Sequence, residues 1–181
     1  VLALVSHQKF WIFEETNKRR SFWTMDMQWH EGKPYPGKGS PVALTSDSNS
    51  NDIYLLLDDG TINHLNSDET WDVPVHFPKP IDDIVLDLRV LDNGKNILVL
   101  TGKSHIHISH DAGKTWKDTG STINPKITRF FDLDKNNTNN ILWELTPSSL
   151  RYLDPHQSNA DWKTLPLSDS ANYKLAVSVD G

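Results

Sequence analysis

The sequence predicts an all-β chain, in which four-stranded antiparallel sheets repeat about four times as the blades of a β-propeller. Three observations predict it. Tryptophans at positions 23, 71, 116 and 162 recur every 45 to 48 residues. Each ends a segment of the same order: an apolar run, a short polar turn, a second alternating run and a polar loop. One of these loops, Ser109-His110-Asp111-Ala112-Gly113-Lys114-Thr115-Trp116, carries a full set of turn-forming residues. A period in the forties is the length of one four-stranded blade.

Composition agrees. With 181 residues the chain is long enough for a substantial core, and 7 Trp, 10 Pro and 9 Gly suit short strands joined by turns. A net charge of −6 with only five arginines argues against a nucleic-acid platform. The absence of cysteine excludes a disulfide scaffold and thiol chemistry in this chain. No run approaches the roughly 18 apolar residues of a membrane span, and no signal peptide is visible. The chain opens and stops at apolar strands, Val1 onward and just before Gly181, as an excised piece of a longer protein does.

In chain order, the repeats span approximately 1–26, 42–74, 84–119 and 127–166, followed by a last inner strand at 173–179. The middle strands begin at Val1–Val5, Ile53–Leu57, Ile97–Leu100 and Ile141–Leu145. The apolar runs Val42–Leu44, Ile84–Leu88, Ile127–Phe131 and Leu175–Val177 are expected to be the innermost strands. On this reading the first blade lacks an inner strand at its N-terminus. The strand at Leu175–Val177 then either pairs with Val1–Val5 to close a four-bladed ring or begins a further blade. We favour the larger propeller. Trp11 and Phe13, Ile106 and Ile108, and Trp143 and Tyr152 occupy positions expected to pack against an adjacent blade.

The turn at Ser109–Trp116 has a job for each residue. Asp111 can fold its carboxylate onto following backbone N–H groups, Gly113 can take a positive φ, and Thr115 suits the start of a strand. Burying the Trp116 indole contributes at most about 4–6 kcal/mol. Ser109, Asp111, Gly113, Thr115 and Trp116 resemble the Asp-box (BNR) repeat, which joins the third and fourth strands of blades in sialidases and sortilin-type receptors. In that family the box is structural and lies away from the ligand site. The other loops depart from it. Thr16–Phe22 lacks the Asp and Gly, Asn66–Trp71 is shortened, and Asp154–Trp162 is longer with Asp161 in place of Thr.

Propeller geometry sorts the loops by face. Outer-to-inner connections and middle-strand hairpins emerge together, and propellers generally bind ligands there; the box turns emerge opposite. On the first face lie Thr24–Pro41, Pro74–Pro80 and Lys117–Pro125. Their Trp29, His30, Tyr35, His76 and Phe77 are the candidate ligand-binding residues, as exposed aromatics on proline-stiffened loops. His105 and His107 share a strand face, with His110 nearby, but spacing implies no further donor, so no metal site is expected. Asp58-Asp59-Gly60 reads as a hairpin turn rather than a calcium loop. Asn136-Asn137-Thr138, within the polar loop Asp134–Asn140, is a glycosylation sequon at Asn136.

Sialidase chemistry needs three arginines around a carboxylate. Arg19 and Arg20 lie in a degenerate box loop, Arg89, Arg129 and Arg151 on different strands, and no Arg-Ile-Pro start motif occurs. With its Asn-, Asp-, Lys- and Ser-rich loops, degenerate boxes and missing sialidase arginines, the chain resembles, among Asp-box proteins, the sortilin-type vacuolar protein-sorting receptors most. That resemblance implies a non-catalytic lumenal propeller in the Golgi, endosome or vacuole, or outside the cell, binding protein or peptide cargo. It implies no cofactor, no nucleic acid and no direct membrane contact from this segment, with any anchor elsewhere in the full protein. Histidines such as His30 and His76 would make cargo release pH-dependent. The alternative is a fragment of an Asp-box glycoside hydrolase working through two carboxylates.

Overall fold

In a computed structural model of the chain, described for residues 2–6, 9–13, 20–23, 29–47, 50, 52–103, 105–119, 141–145, 149–157 and 160–166, four antiparallel sheets follow one another. The first contains β1 (Leu2–Ser6), β2 (Lys9–Phe13), β3 (Arg20–Trp23) and β4 (Trp29–Gly32). The second contains β5 (Pro41–Ser46), β6 (Ile53–Leu57), β7 (Thr61–Leu65) and β8 (Val75–His76). The third contains β9 (Val85–Leu91), β10 (Asn96–Thr101), β11 (Ile106–Ser109) and β12 (Lys117–Asp118). Of the fourth, β13 (Leu142–Leu145), β14 (Ser149–Leu153) and β15 (Lys163–Pro166) are described. Strands within each sheet pair in chain order, and the first strands β1, β5 and β9 lie side by side. This is the meander and radial stacking of a propeller segment.

The first repeat corrects one expectation. Leu2–Ser6 is the first strand of a complete sheet, so no inner strand is missing there. Trp23 ends β3 and pairs with Trp29, which opens β4. The residue standing where Trp71, Trp116 and Trp162 stand, at or ahead of the start of the last described strand of each sheet, is therefore Trp29. Arg20 likewise sits on β3 rather than in a box loop. The expected inner strands Ile127–Phe131 and Leu175–Val177, and the Asn136 sequon, lie outside the described residues.

Alternation divides the core among the seams between sheets. On β6, Ile53, Leu55 and Leu57 enter one cluster and Tyr54 and Leu56 another. On β10, Ile97 and Val99 face the second sheet, whereas Leu98 and Leu100 face the fourth. Every residue of both strands is buried, which is why each reads as an unbroken apolar run. One indole packs against each of the three apolar clusters among the described residues. Trp71 joins the cluster of Tyr35, Ile53, Leu55, Leu57 and Leu65. Trp116 joins the cluster between the second and third sheets, and Trp162 the one between the third and fourth.

The turn before β12 places its indole by local hydrogen bonds. Ser109 Oγ accepts from Gly113 N at 2.8 Å and donates to Asp111 Oδ1 at 2.8 Å. Asp111 accepts from Thr115 N at 2.8 Å and from Thr115 Oγ1 at 2.6 Å. Ala112 and Gly113 both take positive φ, 57° and 84°. Trp116 Nε1 donates to Gly113 O at 3.0 Å, and the ring meets Phe77 of the preceding sheet edge-on at 5.0 Å. The shortened loop repeats part of this, with Asp68 accepting from Thr70 N at 3.0 Å and Thr70 Oγ1 at 2.6 Å. At this end His156 Nδ1 reaches Asp92 Oδ2 at 2.8 Å and ties the fourth sheet to the third.

Candidate functional site: the loop end of the sheets

Antiparallel order puts segments 33–40 and 77–84, which lead into β5 and β9, at the same end as hairpins 58–60 and 102–105. The box-like turns occupy the other end. At the loop end, backbone ties fix each connection to its neighbouring hairpin. Ser40 N donates to Asp58 Oδ1 at 2.9 Å, and Asp58 N to Ser40 O at 2.9 Å. Gly37 N donates to the buried Asn63 Oδ1 at 3.1 Å. Asp58-Asp59-Gly60 forms the β6–β7 turn, with Gly60 at φ 87° and Asp59 Oδ1 accepting from Thr61 N.

The 77–84 segment is the most distinctive of these. Asp83 accepts from Ile84 N at 2.8 Å and Lys103 N at 3.0 Å, while Gly102 N donates to Ile84 O at 2.8 Å. Lys79 Nζ donates to Asp83 O at 2.8 Å. Burial opposes ionisation of Asp83, but hydrogen bonds from Thr101, Ile84 N and Lys103 N outweigh it and hold its carboxyl below the usual range. On this braced segment Ile81 is 99 % and Ile84 61 % exposed. Asp82 and Lys103 flank them as an ion pair at 3.3 Å.

Two of the expected ligand residues are not presented to solvent. Tyr35 (2 % exposed) packs with Ile53, Leu55 and Leu57, and Phe77 (1 %) fills the seam under Trp116. Proline-rich flanks suggested exposed loop aromatics, but both rings roof over apolar strands from which water is excluded. His76 is exposed on β8, opposite Thr61. Trp29 and His30 stand on β4, paired with Trp23 and Phe22, rather than on a loop; their side chains lie outside the described set. Ile81 escaped sequence reasoning because Lys79-Pro80-Ile81-Asp82-Asp83 has no periodicity to assign its apolar residue a face, and Ile84, expected to open an inner strand, instead precedes β9, which starts at Val85.

The fold also adds a donor to the histidine pair. His107 on β11 lies directly opposite Asp118 on β12, and His105 Nδ1 is 2.8 Å from Asp118 Oδ2. Potential donor atoms of His105, His107 and Asp118 all lie within 4.8 Å of one another. Spacing alone did not point to Asp118, because strand pairing, not sequence distance, brings it there. His107 also meets the Phe77 ring at 4.9 Å. Burial holds its imidazole below the ordinary value against the pull of Asp118.

No known family model matches the chain, and no curated protein does. Solved structures do match it in fold. Virginiamycin B lyase from Staphylococcus aureus superposes with a TM-score of 0.63 at 17% identity, over 91% of this chain and 54% of the lyase. A protein of unknown function from Desulfotomaculum acetoxidans gives 0.61 at 10% identity, over 92% of this chain and 56% of that one. YCF48 bound to a D1 peptide gives 0.53 at 15% identity, over 80% and 43%. The chain thus spans about half the length of these structures. At such identities the likeness establishes the propeller fold.

Proposed function

We propose that the chain is a non-catalytic, polypeptide-binding portion of a propeller. We further propose that it is of the sortilin-like sorting-receptor type, with protein or peptide cargo, in the secretory and endosomal lumen or outside the cell. The observation that carries polypeptide binding is the exposure of Ile81 and Ile84 on a segment held rigid by Asp83. Fixed apolar side chains with a charged rim lose little entropy on docking and are the composition of a protein-recognition patch. His76 adds an exposed imidazole on β8, whose strand leads into the same segment.

Two further points support the reading. The Ser109–Trp116 turn matches the Asp-box at its five defining positions, which is the ground for the receptor family. YCF48, similar in fold, has a solved structure bound to a D1 peptide. Against a sialidase-like reading, Arg89 Nη1 reaches Thr45 Oγ1 at 3.5 Å and Arg151 lies over the Trp162 ring at 4.9 Å. The first contact joins the third sheet to the second, and the second lies within the fourth sheet.

A peptide-array measurement beside a glycoside-hydrolysis panel tests this. The expected result is saturable peptide binding that weakens at least about tenfold in the Ile81→Asp/Ile84→Asp variant, with no turnover. Hydrolysis of a glycoside above the buffer rate, abolished by replacing one Asp or Glu, would install the hydrolase reading instead.

A further inference from the structure

We infer that His105, His107 and Asp118 form a zinc-binding site on the third sheet, independent of polypeptide binding. The three donors come from three consecutive pieces of one sheet: the β10–β11 connection, β11 and β12. His105 and His107 are two apart, so they project to the same side, and Asp118 faces His107 across the ladder. Their rings lie 6.2 Å apart and near parallel, with an interplanar angle of 27°.

Tetrahedral zinc with bonds of about 2.0–2.1 Å needs its ligand atoms roughly 3.3 Å apart. The set already lies within 4.8 Å, and one pair, His105 Nδ1 and Asp118 Oδ2, is at 2.8 Å. Small side-chain rotations complete the approach. His107 is positioned by its contact with Phe77 at 4.9 Å, whereas the side chains of His105 and Asp118 are 36% and 43% exposed and can adjust. Two imidazoles and one carboxylate favour zinc over calcium or magnesium, which take all-oxygen sets. Three protein ligands leave the fourth position, on the exposed side, for water or an external ligand.

The test is calorimetric titration of the EDTA-stripped, dialysed chain with Zn²⁺, in the wild type and in Asp118→Asn, His105→Ala and His76→Ala variants. Urea midpoints are measured with and without zinc to show that each variant folds. Co²⁺ substitution gives a visible spectrum that reports tetrahedral geometry. The expected result is one zinc per chain, weakened more than tenfold by Asp118→Asn and by His105→Ala and unchanged by His76→Ala. Zinc should also raise the urea midpoint of the wild type but of neither ligand variant. The inference is overturned if no saturable one-to-one binding occurs, or if binding survives both ligand substitutions.

Discussion

Asp111 shows how one carboxylate sets a turn. Hydrogen bonds from Thr115 Oγ1 and Thr115 N, with Ser109 Oγ adding a third, hold its pKa down at about 2. The sign follows from linkage: a carboxyl whose folded pKa is depressed stabilises the fold fully above its unfolded value of about 4. That contribution is lost as the pH falls from about 4 towards 2. The urea midpoint of the wild type should therefore exceed that of Asp111→Asn at pH 5, and the gap should close on acidification through this window. A gap independent of pH would contradict the clamp. The turn was legible in the sequence because the bonds that hold Asp111 and Trp116 fall within eight residues. Tyr35 and Phe77 were misread for the opposite reason. Their burial depends on Ile53, Leu57 and Trp116, partners remote in the chain that no local pattern names.

At the scale of the element, the sheets depend on what each turn pushes into its neighbour. A Cβ added at Gly113 would overlap the Val75 side chain of the preceding sheet, and its φ of 84° strains any residue with a Cβ. Gly113→Ala should cost about 1–3 kcal/mol, and pairing it with Val75→Ala should recover the steric part, so the double variant will fall short of additivity. Additive denaturation midpoints would mean the two sheets do not touch there. Trp116→Ala should cost about 3 kcal/mol, since the half-buried indole both seals the seam and contacts Phe77. Strand identity was readable in β6 and β10, where apolar residues run unbroken. Which indole belongs to which strand was not, because Trp23 and Trp29 bracket the β3–β4 turn and spacing alone chooses the wrong one. Asp118 was hidden in the same way, joined to His107 only by register.

For the whole molecule, the two ends of the stack have separate work. Box-like turns and the His156–Asp92 pair fasten successive sheets at one end, leaving the other to present braced loops such as 77–84. That division lets the 77–84 segment vary without loosening the seams, so Ile81→Asp should leave the thermal midpoint within about 2 °C of the wild type, as exposed substitutions do. The propeller fold was legible from periodicity because each sheet must bury two faces, which imposes one repeat per blade. The loop end was less so, since exposure depends on the packing of whole sheets. The seam between the second and third sheets tests the account most directly. In a nuclear Overhauser spectrum of the folded chain, the Trp116 indole protons should show strong cross-peaks to the Phe77 ring, whose centroid lies 5.0 Å away, and the Phe77 resonances should be shifted by the indole ring current. A Trp116 indole with random-coil shifts and no contact to Phe77 would contradict the stacking of sheets on which the rest is built.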